Sequence, residues 1–180
     1  MKKFNYIILI ICSIIRNTFF KVIYGRRIHI DLYSMIHPRA TIRLFGKKSI
    51  IKIGRRSHVR SNTEIESING KVIIADGVFI NKNCMIVSML EISIGSGTAI
   101  APGVIIYDHD HDFCHTTTND YICKPISIGK NVWIGANSVI LKGVTIGDDT
   151  IIGAGSVVTK NVDSNSMYAG NPARKIKSLL

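Results

Sequence analysis

Isoleucine or valine returns at every sixth position in Ile128, Ile134, Ile140, Ile146, Ile152 and Val158. An amphipathic helix wants a period near ~3.6 and a half-buried strand a period of about two, so neither produces this spacing. Glycine follows the aliphatic residue at Gly129, Gly135, Gly147 and Gly153. A second small or short residue follows four places on, at Val132, Ser138, Val144, Thr150 and Ser156. The same phase runs upstream through Ile94, Ile100 and Ile106, then Ile74, Ile80 and Ile86, and more weakly through Ile53, Val59 and Ile65. Each hexad therefore predicts one short strand and a turn. Three hexads close one coil of a triangular parallel β-helix, whose inward side chains stack coil upon coil. Glycines at the corners permit positive φ or close approach. A sandwich of short strands has no reason to keep a period of six.

The phase divides the chain. Residues 1–30 are apolar and basic and predict a short N-terminal helix. Residues 31–158 predict the coils, with a projecting loop at 107–125 where the phase is lost between Ile106 and Ile126. Residues 159–180 form a C-terminal tail. A chain of 180 residues is one domain by size.

The apolar run from Tyr6 to Ile15 is too short to span a bilayer as a helix, which takes about 20 apolar residues. Lys2 and Lys3 precede it, but no small-residue cleavage site follows before Arg16, which argues against a signal peptide. Two readings stand: a helix lying against the cytoplasmic face of a membrane, and a helix packed on the first coil or a neighbouring subunit. The cysteines, Cys12, Cys84, Cys114 and Cys123, form no CxxC pair and no disulfide framework, which is compatible with a reducing cytoplasm.

The net charge is +11, and many of the cations fall early, from Lys2 to Arg60. No aromatic interleaving or motif supports nucleic acid as the partner. Anionic lipid, an anionic substrate or a solvated basic face each accounts for the charge.

The interruption contains Tyr107-Asp-His-Asp-His-Asp-Phe-Cys-His115. A polar loop projecting from a rigid scaffold is where chemistry concentrates. A histidine there suits a general base, because its ordinary pKa lies close to physiological pH. His109, His111 and His115 with the aspartates could instead bind a metal, although no ligands at fixed spacing occur elsewhere in the coils. The loop could also be polar surface alone.

The hexads and this loop are joined by three further stretches. These are Lys-Pro-Ile-Ser-Ile-Gly-Lys-Asn-Val-Trp-Ile-Gly at 124–135, Ile-Gly-Ala-Gly-Ser-Val-Val-Thr-Lys at 152–160 and Ala-Gly-Asn-Pro-Ala-Arg at 169–174. Together, in order, they resemble the left-handed β-helix acetyltransferases. The resemblance covers roughly residues 50–177. It is strongest to the branch of maltose, galactoside and nodulation-factor O-acetyltransferases and the related capsule and O-antigen enzymes.

The resemblance implies an all-β, left-handed parallel β-helix and a homotrimer with each active site between two subunits. It implies direct transfer of acetyl from acetyl-CoA to a saccharide hydroxyl, in surface polysaccharide modification, with a histidine base and no metal. Counting from Ala101-Pro102-Gly103 places that base at His111, and counting back from the Lys-Pro-Ile stretch places it at His109. The family register gives His111 preference. It is followed by Asp112-Phe113, like the His-Asp-Tyr of a colanic-acid acetyltransferase, where the maltose and galactoside enzymes carry proline.

Asn81 aligns with an asparagine near the reacting group, which could hold the sugar or polarise the carbonyl, or simply stabilise a corner. Trp133 aligns with a tryptophan walling the acceptor or pantetheine channel. Main chain at Ala136 and Ala154 aligns with groups bonding the pantetheine arm. Thr159, Lys160, Arg174 and Lys177 align with residues near the adenine and phosphates, Lys177 standing where the galactoside enzyme has arginine.

The same fold also carries acetyltransferases of drugs and amino-sugar nucleotides. From a different class, γ-carbonic anhydrases use it with metal histidines on separate coils, and a trimeric scaffold without activity is a third alternative. The expected localisation is cytoplasmic, at the inner face of the cell membrane if the first segment binds it.

Overall fold

The computed structural model describes residues 2–112 and 121–180, with side chains described from residue 10 onward. Phe113, Cys114 and His115 lie outside the described residues.

The period-six residues form the interior. Ile53, Val59 and Ile65, Ile74, Ile80 and Ile86, and every aliphatic residue from Ile128 to Val158 in that phase are buried. They stack through three parallel sheets that make the walls of a prism. On the first face Ile30 pairs with Ile53, Ile53 with Ile74, Ile74 with Ile94, Ile94 with Ile128 and Ile128 with Ile146. The second face stacks Ile36, Val59, Ile80, Ile100, Ile134 and Ile152. The third stacks Ile42, Ile65, Ile86, Ile106, Ile140 and Val158. Each strand pairs only with the coil above and below, so apolar burial is shared between coils rather than completed within one.

Where the second, short residue of a hexad is polar it is also buried, and its work is hydrogen bonding. Thr63 Oγ1 donates to Asn81 O at 2.7 Å and accepts from Cys84 N at 3.2 Å. Thr98 Oγ1 repeats this with Gly129 O and Val132 N one coil further on. A hydroxyl at this position thus satisfies corner backbone that strand pairing leaves over, which is the condition for burying a polar side chain.

The helix α1, Lys2–Tyr24, lies across the open end of the first coil. Ser13 Oγ donates to Ser34 O and accepts from Ile36 N, both at 3.1 Å. Arg16 reaches His37 O at 2.7 Å, and Phe20 and Tyr24 pack on the core. Of the two readings of this segment, packing on the first coil is realised.

The far end is closed by the tail. Ser166–Ala169 adds to the second face beside Ile151–Ile152, and Arg174–Ser178 folds back antiparallel on it. Cys12, Cys84 and Cys123 are free thiols.

Candidate active site

Ile106 is the last inward residue before the interruption, and the alternation of strand side chains carries Asp108 inward after it. Asp108 is completely buried. Its Oδ2 accepts Ser88 Oγ at 2.7 Å and Leu90 N at 2.8 Å, and its Oδ1 accepts Met89 N at 2.7 Å. Ring Nδ1 of His109 lies 3.2 Å from the same Oδ1. Four donors in a dry site hold the carboxylate to the preceding coil. In the sequence Asp108 stands out only as one aspartate of the possible metal set; its parity after Ile106 is the signal for its burial.

From that anchor the chain leaves the prism as a hairpin. His109–His111 pairs antiparallel with Tyr121–Cys123. Lys124 N donates to Asp108 O at 2.9 Å and closes the neck. Lys142 on the following coil pairs with Asp110. His109 is half-buried, edge-on to Tyr121 at 5.6 Å between centroids. His111 is exposed, with its ring 4.7 Å from the same tyrosine.

A pocket of about 630 Å³ runs along the hairpin and is lined by Tyr107, His109, His111, Tyr121 and Lys142 among others. Burial, with Glu64 and Glu66 nearby, pushes the Tyr107 phenol above its ordinary value, so it stays protonated and able to donate. Among the described residues no group of three or more histidines, cysteines or carboxylates could hold a metal ion, and His115 of the metal reading lies outside them.

The other predicted residues gather elsewhere. The corner between the second and third faces carries two adjacent columns: Asn81 and Ala101 in line with Gly135 and Gly153, and, one residue on, Lys82 and Pro102 in line with Ala136 and Ala154. Asn81 N donates to Ile100 O, Ala101 N to Ile134 O, and Gly155 N to Ala136 O at 2.8 Å. Asn81 Oδ1 accepts Lys82 N at 2.9 Å within the corner, which leaves the amide NH2 as the end that can donate to a ligand.

Trp133 stands on the outer side of the second face between Ala99 and Ile151, half exposed at 53%. Thr159, Lys160, Arg174 and Lys177 are all exposed toward the tail. The columns start the third-face strands, and the hairpin leaves from their ends. A single chain therefore puts the two groups at opposite edges of one wall, and neither Asn81 nor Trp133 lines the hairpin pocket.

The fold and its hexads define a parallel β-helix protein of hexapeptide repeats. Residues 125–160 match the family described as bacterial transferase hexapeptide (six repeats). Nodulation protein L of Rhizobium leguminosarum bv. viciae is 50% identical over 99 residues, covering 54% of this chain and 52% of that protein. Galactoside O-acetyltransferase of Escherichia coli is 39% identical over 115 residues, covering 63% and 57%.

The chain thus spans about half the length of the curated relatives it matches. Among solved structures, AntD, an N-acyltransferase from Bacillus cereus in complex with dTDP and 3-hydroxybutyryl-CoA, superposes with a TM-score of 0.73 at 25% identity. That match covers 91% of this chain and 87% of AntD. These matches return the resemblance drawn from the sequence, to the hexapeptide-repeat acetyltransferases.

Proposed function

We propose that this protein is an acetyl-CoA-dependent O-acetyltransferase that modifies a saccharide hydroxyl, with surface polysaccharide as the acceptor class. The observation that carries the reading is the histidine hairpin, anchored through buried Asp108 and opening on a pocket walled by Tyr107, Tyr121 and Lys142. The named activity of the galactoside relative and the acyl-CoA in the AntD structure support it.

The residues present suit the co-substrate. Ala136 and Ala154 carry only methyl groups at the corner surface beside Gly135 and Gly153, so a thin acyl-bearing arm can lie along it. Lys160, Arg174 and Lys177 offer exposed cations for the phosphates beyond.

Acetyl-CoA supplies the activated carbonyl. His111 takes the hydroxyl proton as the sugar oxygen attacks that carbon. The carbon–sulfur bond breaks, and the departing thiolate takes up a proton to leave as free CoA thiol. His111 is favoured by its register from Ala101-Pro102-Gly103 and by its exposure to the groove. A second reading makes His109 the base, favoured by its bond to Asp108, which fixes ring orientation in the way a catalytic dyad requires.

Asn81 and Trp133 act in this scheme only if a neighbouring chain brings its corner to the hairpin, so the reading includes a homotrimer. The outer columns support it. Met85, Ile105, Val139 and Val157 form an apolar stripe on the third face, and Phe79, Ala99, Trp133 and Ile151 form one on the second. The first face shows Ser93, Ser127 and Thr145.

The test is thiol release from acetyl-CoA across a panel of mono- and oligosaccharides, with wild type, His111→Ala and His109→Ala. His111→Ala should lose about 10²–10⁴-fold in kcat. If His109→Ala alone loses that much, the second reading replaces the first. If no saccharide stimulates release, the transferase reading fails. A monomeric mass by light scattering would remove the shared site.

A further inference from the structure

The helix α1 buries polar residues and exposes apolar ones. Its protein-facing side carries Ser13, Arg16 and Asn17 along with Phe20 and Tyr24, and among the described residues neither amide atom of the fully buried Asn17 has a hydrogen-bond partner. Its outward side carries Ile11, Ile14, Ile15, Phe19, Val22 and Ile23, between 42% and 79% exposed. A helix orienting itself between protein and water does the reverse.

The remaining exposed residues of that side fit the same pattern. Cys12 is weakly polar, and Thr18 returns its hydroxyl to Ile14 O at 3.0 Å, so its polarity is satisfied within the helix. Exposed Leu32 and Tyr33 continue the apolar surface along a groove that also meets Ile10 and Ile14. Cations rim the surface. Lys21, Arg26 and Lys52 cluster at the last turn of α1, and Arg55 lies 4.7 Å over the Tyr33 ring with Arg56 beside it.

We propose that α1 lies in the plane of an anionic phospholipid bilayer, its outward side among the acyl chains, with the first coil of the β-helix standing on the head groups. An apolar strip bordered by cations is what such a surface binds: burial supplies the affinity and the head-group charge adds to it. Tyr33 with its stacked guanidinium suits the interface, where one end is apolar and the other wet. Among the described residues no helix is long and apolar enough to cross a membrane, so the geometry is in-plane. The proposal does not rest on the acetyltransferase reading, since none of these residues belongs to the hairpin or the corner columns.

The experiment is flotation of the full-length protein with phosphatidylcholine vesicles, with and without phosphatidylglycerol, for wild type and the double variant Ile15→Glu, Phe19→Glu. Wild type should float with the anionic vesicles and bind less in high salt. Cys12 should be shielded from maleimide there, read by mass spectrometry. The double variant should partition at least about tenfold less, since two large apolar side chains no longer bury, with an unchanged thermal melt because both positions are exposed. Equal flotation of the double variant overturns insertion, leaving charge alone as the attraction. Failure of wild type to bind overturns the proposal. Should the double variant also drop to a smaller particle in light scattering, a second copy covers this face instead.

Discussion

Asp108 holds the His109 ring from a completely buried position, with 3.2 Å between Oδ1 and Nδ1. A carboxylate that accepts from Nδ1 selects the tautomer with the proton there, which would turn Nε2 into the basic nitrogen of a ring that lines the hairpin pocket. The same carboxylate ties Ser88, Met89 and Leu90, so the ring of His109 is oriented by the coil beneath it rather than by the hairpin alone.

Asp108→Asn should therefore be costly. It places an NH2 among four donors, and at least one buried donor loses its acceptor. Breaking such a network costs about 2–4 kcal/mol. Urea unfolding should show the midpoint falling with little change in slope, and kcat should drop while KM for acetyl-CoA holds. A variant as stable as wild type would refute the anchoring role.

Two corner glycines should respond in opposite ways. A Cβ on Gly135 would meet Ala154 N at 2.4 Å, with Ala154 Cα and Gly153 C both at 2.8 Å, all main chain of the next coil that cannot give way. Gly155 has φ of +68° but nothing within 4 Å of a Cβ. Its column reads Asn83, Gly103, Asn137, Gly155, all at positive φ, so asparagine is already at home there. Gly135→Ala should lower the melting temperature by several degrees, about 2 kcal/mol or more of overpacking. Gly155→Asn should leave it within about a degree, since asparagine tolerates the left-handed region. Differential scanning fluorimetry separates the two.

The contrast between these glycines also marks how far the sequence could be read. Period six announced Ile134 and Ile152 as stacked core, because every coil repeats the same slot. It left open whether α1 would turn its apolar side outward or onto the first coil, because a sequence pattern fixes which residues share a face but not which face turns to the protein. Nor did it announce Asp108. That residue sits in an inward slot, but a carboxylate in a hexad position has no meaning until the donors from Ser88, Met89 and Leu90 are placed around it by the coil before. His109 and His111 were legible as chemistry, and the contacts that distinguish them were not.

Acid should loosen the seat of α1 on the first coil through His37. Burial, then Arg39, Arg60 and Arg16, hold its pKa below the ordinary 6.5. Its Nδ1 accepts the Arg39 backbone N–H at 3.1 Å, a bond that only the unprotonated nitrogen can make. The unfolded chain then binds more protons than the folded one between the lowered value and 6.5. Stability is therefore full above 6.5, falls as pH drops through that window, and levels off below the folded value. His37→Asn keeps an acceptor for the Arg39 N–H without titrating. The melting temperature of wild type should fall relative to this variant as pH is lowered across 6.5, and the two should run parallel above it. A difference that appears only on the alkaline side would show that His37 does not carry the effect.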